Sequence, residues 1–211
     1  MEDKYEQILQ RLKDYYGSPK TALHFDNPLQ LLIATILSAQ CTDDRVNKIT
    51  PSLFEKYETA KDFADADIKE IEDLIRTCGL FRNKSKFIKS AATDIFNNFN
   101  GLVPDNRKDL ESLAGVGRKT ANVVLANVFG KQAIAVDTHV FRVSKRLGFS
   151  SGKNVLEVEK DLMDKIPKEV WADAHHWFIY HGREICKARK PKCSECYLSN
   201  LCSYYQKKYK N

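Results

Sequence analysis

The stretch Leu-Ala-Gly-Val-Gly-Arg-Lys-Thr-Ala at residues 113–121 predicts two helices joined by a tight turn. A short helix is expected at residues 109–113, and a second helix starts near Gly117 and repeats apolar residues at helical spacing through Val128. Gly115 and Gly117 are expected to adopt backbone conformations that other residues resist. The turn exposes N–H groups beside the positive end of the second helix, an arrangement that can bind a phosphate. The alternative is an ordinary interhelical turn with glycine caps.

The full run resembles a helix-hairpin-helix motif, here about 107–126, which grips the DNA backbone without reading bases. The DNA contacts that this resemblance implies are Gly115, Val116, Gly117 and Arg118. At about 100° per residue, Lys119 points away from the apolar stripe of its helix, toward solvent or a cleft. The helix dipole disfavours a positive charge at this position, and a lysine amine can attack an electrophilic carbon. Considered alone, Lys119 is a surface lysine.

Outward from this stretch, the chain predicts helix after helix, so the fold class is all-α. Apolar residues recur at helical spacing over residues 5–16, 29–37, 68–75 and 87–99, and they are interpreted as core. Asn27-Pro28 is a start signal for the second of these helices. The only candidate for an extended segment is the short stretch 133–136.

Residues 136–139 read Val-Asp-Thr-His and precede another helical stripe. The structural interpretation of Asp137 is a helix N-cap. The functional interpretation is a carboxylate held at a helix start and aimed at a cleft, and one residue can do both. His139 is retained only as a candidate neighbour of the site, because a histidine in this setting is more often packed or exposed.

Four of the six cysteines lie within the last 26 residues, with six, two and five residues between them. They are Cys186, Cys193, Cys196 and Cys202. Four thiolates at this spacing can surround zinc or a cubane iron–sulfur cluster, and the spacing does not choose between them. The chain shows no secretory signal, so disulfides are the weaker explanation. The basic residues Lys187, Arg189, Lys190 and Lys192 fall between the first two cysteines, where they can contact phosphates.

Charge is distributed unevenly along the 211 residues. From residue 182 onward there are eight Lys/Arg, among them Lys207, Lys208 and Lys210, against two acidic residues, so this segment accounts for the whole formal net charge of +6. A basic end suggests a polyanionic partner such as nucleic acid, or simply a solubilising tail. With 43% hydrophobic and 29% charged residues, the chain is neither disordered, fibrous nor membrane-spanning. A cytoplasmic location is the default, at the nucleoid in a bacterium.

Together, in this order, the hairpin run, Val-Asp-Thr-His and the cysteine spacing resemble the endonuclease III family over nearly the whole chain. Members are DNA glycosylase/AP lyases of base-excision repair. The resemblance implies a six-helix lobe at 22–132 and a second lobe formed by 1–21 and 133–211, with duplex DNA bound in the cleft between them. It also implies that the loop at 186–202 holds a 4Fe–4S cluster, mainly structural, rather than zinc. A monomer is expected.

By the same resemblance, Lys119 and Asp137 match the family's catalytic lysine and aspartate. Relatives that only cut the base–sugar bond often lack an amine at the lysine position, so Lys119 favours the bifunctional class. Gln40 resembles the residue that fills the gap left by an extruded base, and Leu80 resembles the apolar wedge in the opposite strand. Cys41 is interpreted as a packing variant, because relatives often have alanine there.

The function implied is removal of oxidised pyrimidines from duplex DNA through a lysine Schiff base, followed by β-elimination 3′ to the abasic site. Three alternatives remain open. The chain could be a non-catalytic DNA-binding iron–sulfur protein, a monofunctional mismatch glycosylase, or a zinc protein with an incidental glycine turn.

Overall fold

Helices form the regular structure of the protein. The computed structural model describes residues 3–209, and no β-strand occurs among them, which confirms the all-α class. Residues 133–136, the candidate extended segment, are irregular chain between two helices. None of the described helices combines the length and apolarity needed to cross a membrane. Lys210, one of the basic residues singled out above, lies outside the described residues.

The described chain forms two compact units. The central unit is Thr21–Lys131, and the terminal unit joins the chain up to Lys20 to the chain from Gln132 onward. The central unit contains α2 (Pro28–Ser38), α3 (Asp43–Lys56), α4 (Ala60–Asp65), α5 (Ile68–Leu74), α6 (Phe81–Asn98), α7 (Arg107–Ser112) and α8 (Arg118–Asn127). The terminal unit contains α1 (Lys4–Tyr16), α9 (Thr138–Leu147), α10 (Val155–Lys165), α11 (Trp171–Glu184) and α12 (Ser203–Tyr209), with short 3₁₀ turns at Lys168–Val170, Cys193–Glu195 and Ser199–Leu201.

The central unit is organised around α2, which packs against α3, α6 and α8. Asn27 begins this helix as expected, since its side chain accepts a hydrogen bond from the backbone N–H of Gln30 and Pro28 occupies the first turn. Every residue of α2 from Leu31 to Leu37 is buried, so the helix is apolar on all sides rather than on one face. This central position explains why the sequence of α2 is apolar over almost its whole length.

The central unit has seven helices where six were expected. The stripe expected at 68–75 corresponds to α5, which begins at Ile68 after Asp67 has accepted a hydrogen bond from the N–H of Lys69. The motif expected at about 107–126 corresponds to α7 and α8, and α7 starts two residues earlier than the predicted Asp109.

The core of the terminal unit brings both ends of the chain together. α11 packs against α1 and α9, and α9 also contacts α10 and α12. The largest fully buried side chains there include Trp177, Phe149 and Phe178. The indole N–H of Trp177 donates to the carbonyl of Gly17 at 2.8 Å, which fixes the end of α1 against α11. This core supports both the start of α9 and the cysteine loop.

Candidate functional site

The hairpin between α7 and α8 is a compact turn held by its own backbone. The N–H of Leu113 donates to the carbonyl of Leu110, and the N–H of Val116 donates to the carbonyl of Leu113, both at 3.1 Å. Val116 is buried, so its side chain anchors the turn in the central unit instead of facing a partner. A DNA contact from Val116 therefore has to come from its backbone.

Gly115 and Gly117 turn out to have different roles in this turn. Gly115 has φ +76°, and a Cβ added there would lie 2.8 Å from Cβ of Phe87. Gly117 has φ −90° and ψ 178°, an extended conformation open to any residue, and nothing lies within 4 Å of its Cβ position. The expectation of a special backbone conformation holds for Gly115 and is wrong for Gly117. At Gly117 the absence of a side chain affects only how closely a partner can approach the turn from solvent.

This difference predicts opposite outcomes for two alanine substitutions. Gly115→Ala is expected to cost roughly 2–4 kcal/mol of folding free energy, because a left-handed alanine also presses on Phe87. Gly117→Ala, at the N-cap of α8, is expected to cost less than about 1 kcal/mol. Thermal unfolding of both variants beside the parent chain is the measurement. Equal melting temperatures for the two variants would contradict the assignment.

Lys119 is the second residue of α8 and is exposed. Gly117 offers no side chain to cap this helix, so the orphan N–H groups of its first turn receive no side-chain acceptor from the N-cap. Within residues 3–209, the Lys119 amine makes no hydrogen bond or ion pair. Arg118, immediately before it, is also exposed. The start of α8 thus presents a free primary amine beside uncapped backbone donors.

Asp137 is the N-cap of α9, which confirms the structural part of its interpretation. One carboxylate oxygen, Oδ1, accepts the backbone N–H of His139 and of Val140, both at 2.8 Å. The residue is half-buried, and its second oxygen has no hydrogen-bond donor among the described residues. The cap therefore fixes the carboxylate rigidly and leaves one oxygen for another partner. Asp137 belongs to the terminal unit and Lys119 to the central unit.

His139 packs where α9 meets α11. Its Nδ1 lies 3.1 Å from the guanidinium of Arg142, and a Cβ on Gly182 would come within 2.9 Å of the same atom. Burial lowers the pKa of His139, against the opposing effect of the Asp137 carboxylate. These contacts fit a neutral packing residue, the interpretation that was set beside the functional one.

All four cysteines of the loop line one cavity. Burial, with a smaller contribution from the other three cysteines, raises the pKa of the Cys196 thiol to about 11. His181, fully buried, lies with Nε2 3.8 Å from Sγ of Cys196 and also lines the cavity. Within residues 3–209, no three His, Cys, Asp or Glu side chains are placed to hold a single metal ion. Four thiols around a shared cavity fit the donor set of a cubane cluster, which takes one thiolate per iron.

Two arginines of α9 hold this loop, and sequence reasoning missed both. Arg146 donates to the carbonyls of Lys187 and Ala188 at 2.7 and 3.0 Å, and its NH1 lies 3.5 Å from Sγ of Cys186. Arg142 donates to the carbonyls of Cys186 and Gly182 at 3.1 and 2.9 Å. The only available signal was their spacing of four residues, which places both on one face of α9. Taken by itself, the sequence pattern of α9 predicts that both arginines face solvent.

The basic residues of the loop are presented outward. Lys187, Arg189, Lys190 and Lys192 are all exposed. None of them forms an ion pair within the described part of the chain. Because Arg146 occupies the backbone carbonyls on the inner side, the loop keeps a fixed shape while its cations face solvent.

Gln40 and Leu80 lie on two adjacent turns of the central unit. Gln40 is exposed with φ +53° and stands two residues beyond the end of α2. Leu80 has φ +59°, is 55% exposed and precedes α6. A Cβ on Gly79 would lie 3.5 Å from the carbonyl oxygen of Gln40, so the two turns lie next to each other. Left-handed non-glycine residues are uncommon, and here two of them present side chains to solvent.

Comparison with known proteins identifies the class and then the family. Residues 33–168 match the family described as "HhH-GPD superfamily base excision DNA repair protein". Residues 186–202 match the "Iron-sulfur binding domain of endonuclease III". Endonuclease III of Haemophilus influenzae is 48% identical over 201 residues, which is 95% of this chain and 95% of the relative.

Two solved structures share the whole fold. "Structure of a non-covalent Endonuclease III-DNA Complex" matches with a TM-score of 0.92 and 47% identity, covering 100% of both chains. "Structure of a Trapped Endonuclease III-DNA Covalent Intermediate: Estranged-Adenine Complex" matches with a TM-score of 0.91 and 49% identity, covering 98% of this chain and 99% of that one.

The fold and the hairpin define a base-excision DNA repair enzyme of the helix-hairpin-helix class. The chain belongs to the endonuclease III family. It is accordingly a bifunctional DNA glycosylase/AP lyase with a 4Fe–4S cluster, and the non-catalytic, monofunctional and zinc-protein alternatives are wrong.

Proposed function

We propose that the enzyme removes oxidised pyrimidines from duplex DNA, with Lys119 as nucleophile and Asp137 as the carboxylate that assists it. The observation that carries the proposal is the exposed Lys119 amine at the uncapped start of α8, without a partner within residues 3–209. Other lysines of the chain are also exposed, and Lys119 differs from them by its place in the first turn of α8, whose N-cap supplies no side-chain acceptor. A primary amine left free beside N–H groups that suit a phosphate is placed for attack on a sugar.

The chemistry follows from the amine. Once the damaged nucleotide is extruded, the Lys119 nitrogen bonds to the anomeric carbon, and the base leaves with the electrons of the glycosidic bond. Ring opening converts the adduct to a Schiff base. Loss of the neighbouring sugar proton then breaks the bond to the 3′ phosphate by β-elimination. Hydrolysis of the Schiff base returns the free amine.

Asp137 is assigned two tasks in this reaction. The oxygen not used in capping α9 would stabilise positive charge that develops on the sugar, and it would accept a proton from the lysine ammonium. Two hydrogen bonds to its Oδ1 keep the group from rotating, so no reorganisation is needed during the reaction. His139 is given no task in this mechanism.

DNA would be held through its backbone and its stacked bases. Gly115, Val116 and Gly117 would offer backbone N–H groups to a phosphate, with Arg118 beside them. The exposed loop cations would contact further phosphates. Gln40 would fill the space left by the extruded base, and Leu80 would enter the opposite strand as an apolar wedge, a use of apolar side chains seen in other DNA-bending proteins. Damage weakens stacking, which lowers the cost of extrusion.

Cys186, Cys193, Cys196 and Cys202 would hold the 4Fe–4S cluster. These four thiolates, spread from residue 186 to residue 202, would fix the shape of the basic loop when they hold the cluster. The contacts from Arg142 and Arg146 hold the same segment from α9. We further propose that the enzyme acts as a monomer in the cytoplasm, at the nucleoid in a bacterial cell.

A panel of duplexes, each with one modified base or one abasic site, tests the substrate assignment. Oxidised pyrimidines should be excised, and borohydride should trap a covalent enzyme–DNA adduct by reducing the Schiff base to a stable amine. Undamaged duplex of the same sequence is the control. Excision limited to mismatched or alkylated bases would overturn the assignment while leaving the enzyme class intact.

A further inference from the structure

Two cysteines outside the cluster loop lie side by side. Sγ of Cys41 is 3.4 Å from Sγ of Cys78, although 37 positions separate them in sequence. Cys41 is partly accessible, and Cys78 is 1% exposed. A disulfide requires sulfurs about 2.05 Å apart, so closure needs an approach of roughly 1.4 Å. Rotation of the Cys41 side chain at the surface can supply such a shift without moving the helices.

We propose that Cys41 and Cys78 are a modification site, a dithiol that small-molecule disulfides convert to a reversible intramolecular disulfide. Oxidised glutathione is the probe class. The Cys41 sulfur attacks it, forms a mixed disulfide and releases one reduced glutathione. The Cys78 sulfur then attacks the Cys41 sulfur, forms the protein disulfide and releases a second glutathione. The two thiol protons end on the two released thiols, so atoms and electrons balance.

The environment of Cys78 indicates that the two thiols have different roles in the oxidation. Burial, followed by the hydrogen bond with Cys41, raises the pKa of Cys78 to about 12, whereas Lys84 and Arg45 oppose this rise. Cys78 is therefore a poor first nucleophile, and the accessible Cys41 reacts first. The mixed disulfide no longer carries the Cys41 thiol, so two of the three causes that raise the pKa of Cys78, its hydrogen bond and its charge interaction with Cys41, disappear at that step. Burial remains, and the 3.4 Å separation of the two sulfurs is what favours ring closure over accumulation of the mixed disulfide.

The disulfide would join the two turns described above. Cys41 follows Gln40, Cys78 precedes Gly79 and Leu80, and the ring from 41 to 78 encloses α3, α4 and α5. The helices that flank the turns are already linked, since the buried Lys84 side chain of α6 donates to the carbonyl of Leu37 in α2 at 2.8 Å, and Cys78 Sγ lies 4.0 Å from the same oxygen. Oxidation would add a covalent tie at the point where the backbones meet.

A consequence for DNA rests on the proposed function of Gln40 and Leu80. If these turns enter the duplex, bound DNA covers Cys41 and slows its reaction. With duplex at about ten times its Kd, free protein falls to roughly one tenth, so oxidation should slow about tenfold. The disulfide itself needs no DNA, and the two statements can therefore fail separately.

The test uses the cluster-containing protein with oxidised glutathione, followed by intact mass and by peptide mapping without reduction. The expected product is lighter by two hydrogens, links the peptides that contain residues 41 and 78, and reverts with dithiothreitol. Cluster absorbance is recorded throughout, to verify that the loop cysteines stay bound. A wild-type protein that stops at a glutathione adduct on Cys41, or stays unmodified, overturns the proposal.

Single cysteine substitutions test the roles assigned to the two thiols. Cys78→Ser should accumulate the glutathione adduct on Cys41, and Cys41→Ser should stay unmodified because Cys78 is buried. If Cys78→Ser folds poorly, Cys78→Ala serves the same purpose. If the disulfide forms equally fast with and without an abasic-analogue duplex, the disulfide proposal stands. The proposed contact of the two turns with DNA is then refuted.

Discussion

Lys119→Ala is expected to abolish covalent trapping by borohydride and to lower strand cleavage at an abasic site by at least about 10³-fold. The amine supplies the atom that bonds to the sugar, so no neighbouring group replaces it. The side chain is exposed and unpartnered within residues 3–209, so folding stability should change by no more than about 0.5 kcal/mol. Trapping yield, single-turnover cleavage and thermal unfolding give the three readouts.

The matched control for this variant is Lys108→Ala. Lys108 is an exposed lysine on α7, the other helix of the same hairpin, and it has the same charge. The control should trap and cleave normally and lose only a modest amount of DNA affinity. A Lys119→Ala protein that traps as well as the parent would refute the assignment of the nucleophile, although not the enzyme class.

Local signals in the sequence predicted the parts of the site that are held by local contacts. The cap by Asp137 depends on N–H groups two and three residues away, and the positive φ at Gly115 depends on a turn of a few residues. A cap residue followed by an apolar stripe encodes such a feature directly. The same approach failed for Gly117, because the glycine pattern does not distinguish a strained position from an open one.

Contacts between distant segments could not be predicted in this way. Arg142 and Arg146 read as the polar face of α9, yet they bind backbone carbonyls about forty residues further along the chain. Cys41 was interpreted as a packing variant. The sequence does not predict that Cys78 lies beside it, because the fold of α3, α4 and α5 brings the two residues together. Helical periodicity reports burial of one face and does not report which segment covers it.

The left-handed turns at Gln40 and Leu80 illustrate the same limit within a few residues. Neither position is a glycine or an asparagine, so nothing in the local sequence predicts a positive φ. The two turns flank α2 and α6, which pack against each other and are joined by the Lys84–Leu37 hydrogen bond. Only the resemblance to the family, and not the residue type, indicates a role for these two positions.

Asp137→Asn is expected to separate the two tasks of this residue. Asparagine can still accept both N–H groups of the cap through its oxygen, so α9 and the melting temperature should be nearly unchanged. The loss of charge removes stabilisation of the developing cation and the acceptor for the lysine proton. Base excision under single-turnover conditions should fall by roughly 10²–10³-fold, while binding to an uncleavable duplex is retained.

Asp137→Ala adds the structural loss to the chemical one. Without a cap, stability should fall by roughly 0.5–2 kcal/mol. At roughly 2–4 °C per kcal/mol for a chain of this size, the melting temperature should drop measurably. Asp67→Asn is the matched control, because Asp67 caps α5 through a 2.9 Å hydrogen bond from the N–H of Lys69 and takes no part in the proposed chemistry. Asp67→Asn should excise at the parent rate. If Asp137→Asn also excised at the parent rate, Asp137 would serve only as the N-cap of α9. Another residue would then have to accept the lysine proton.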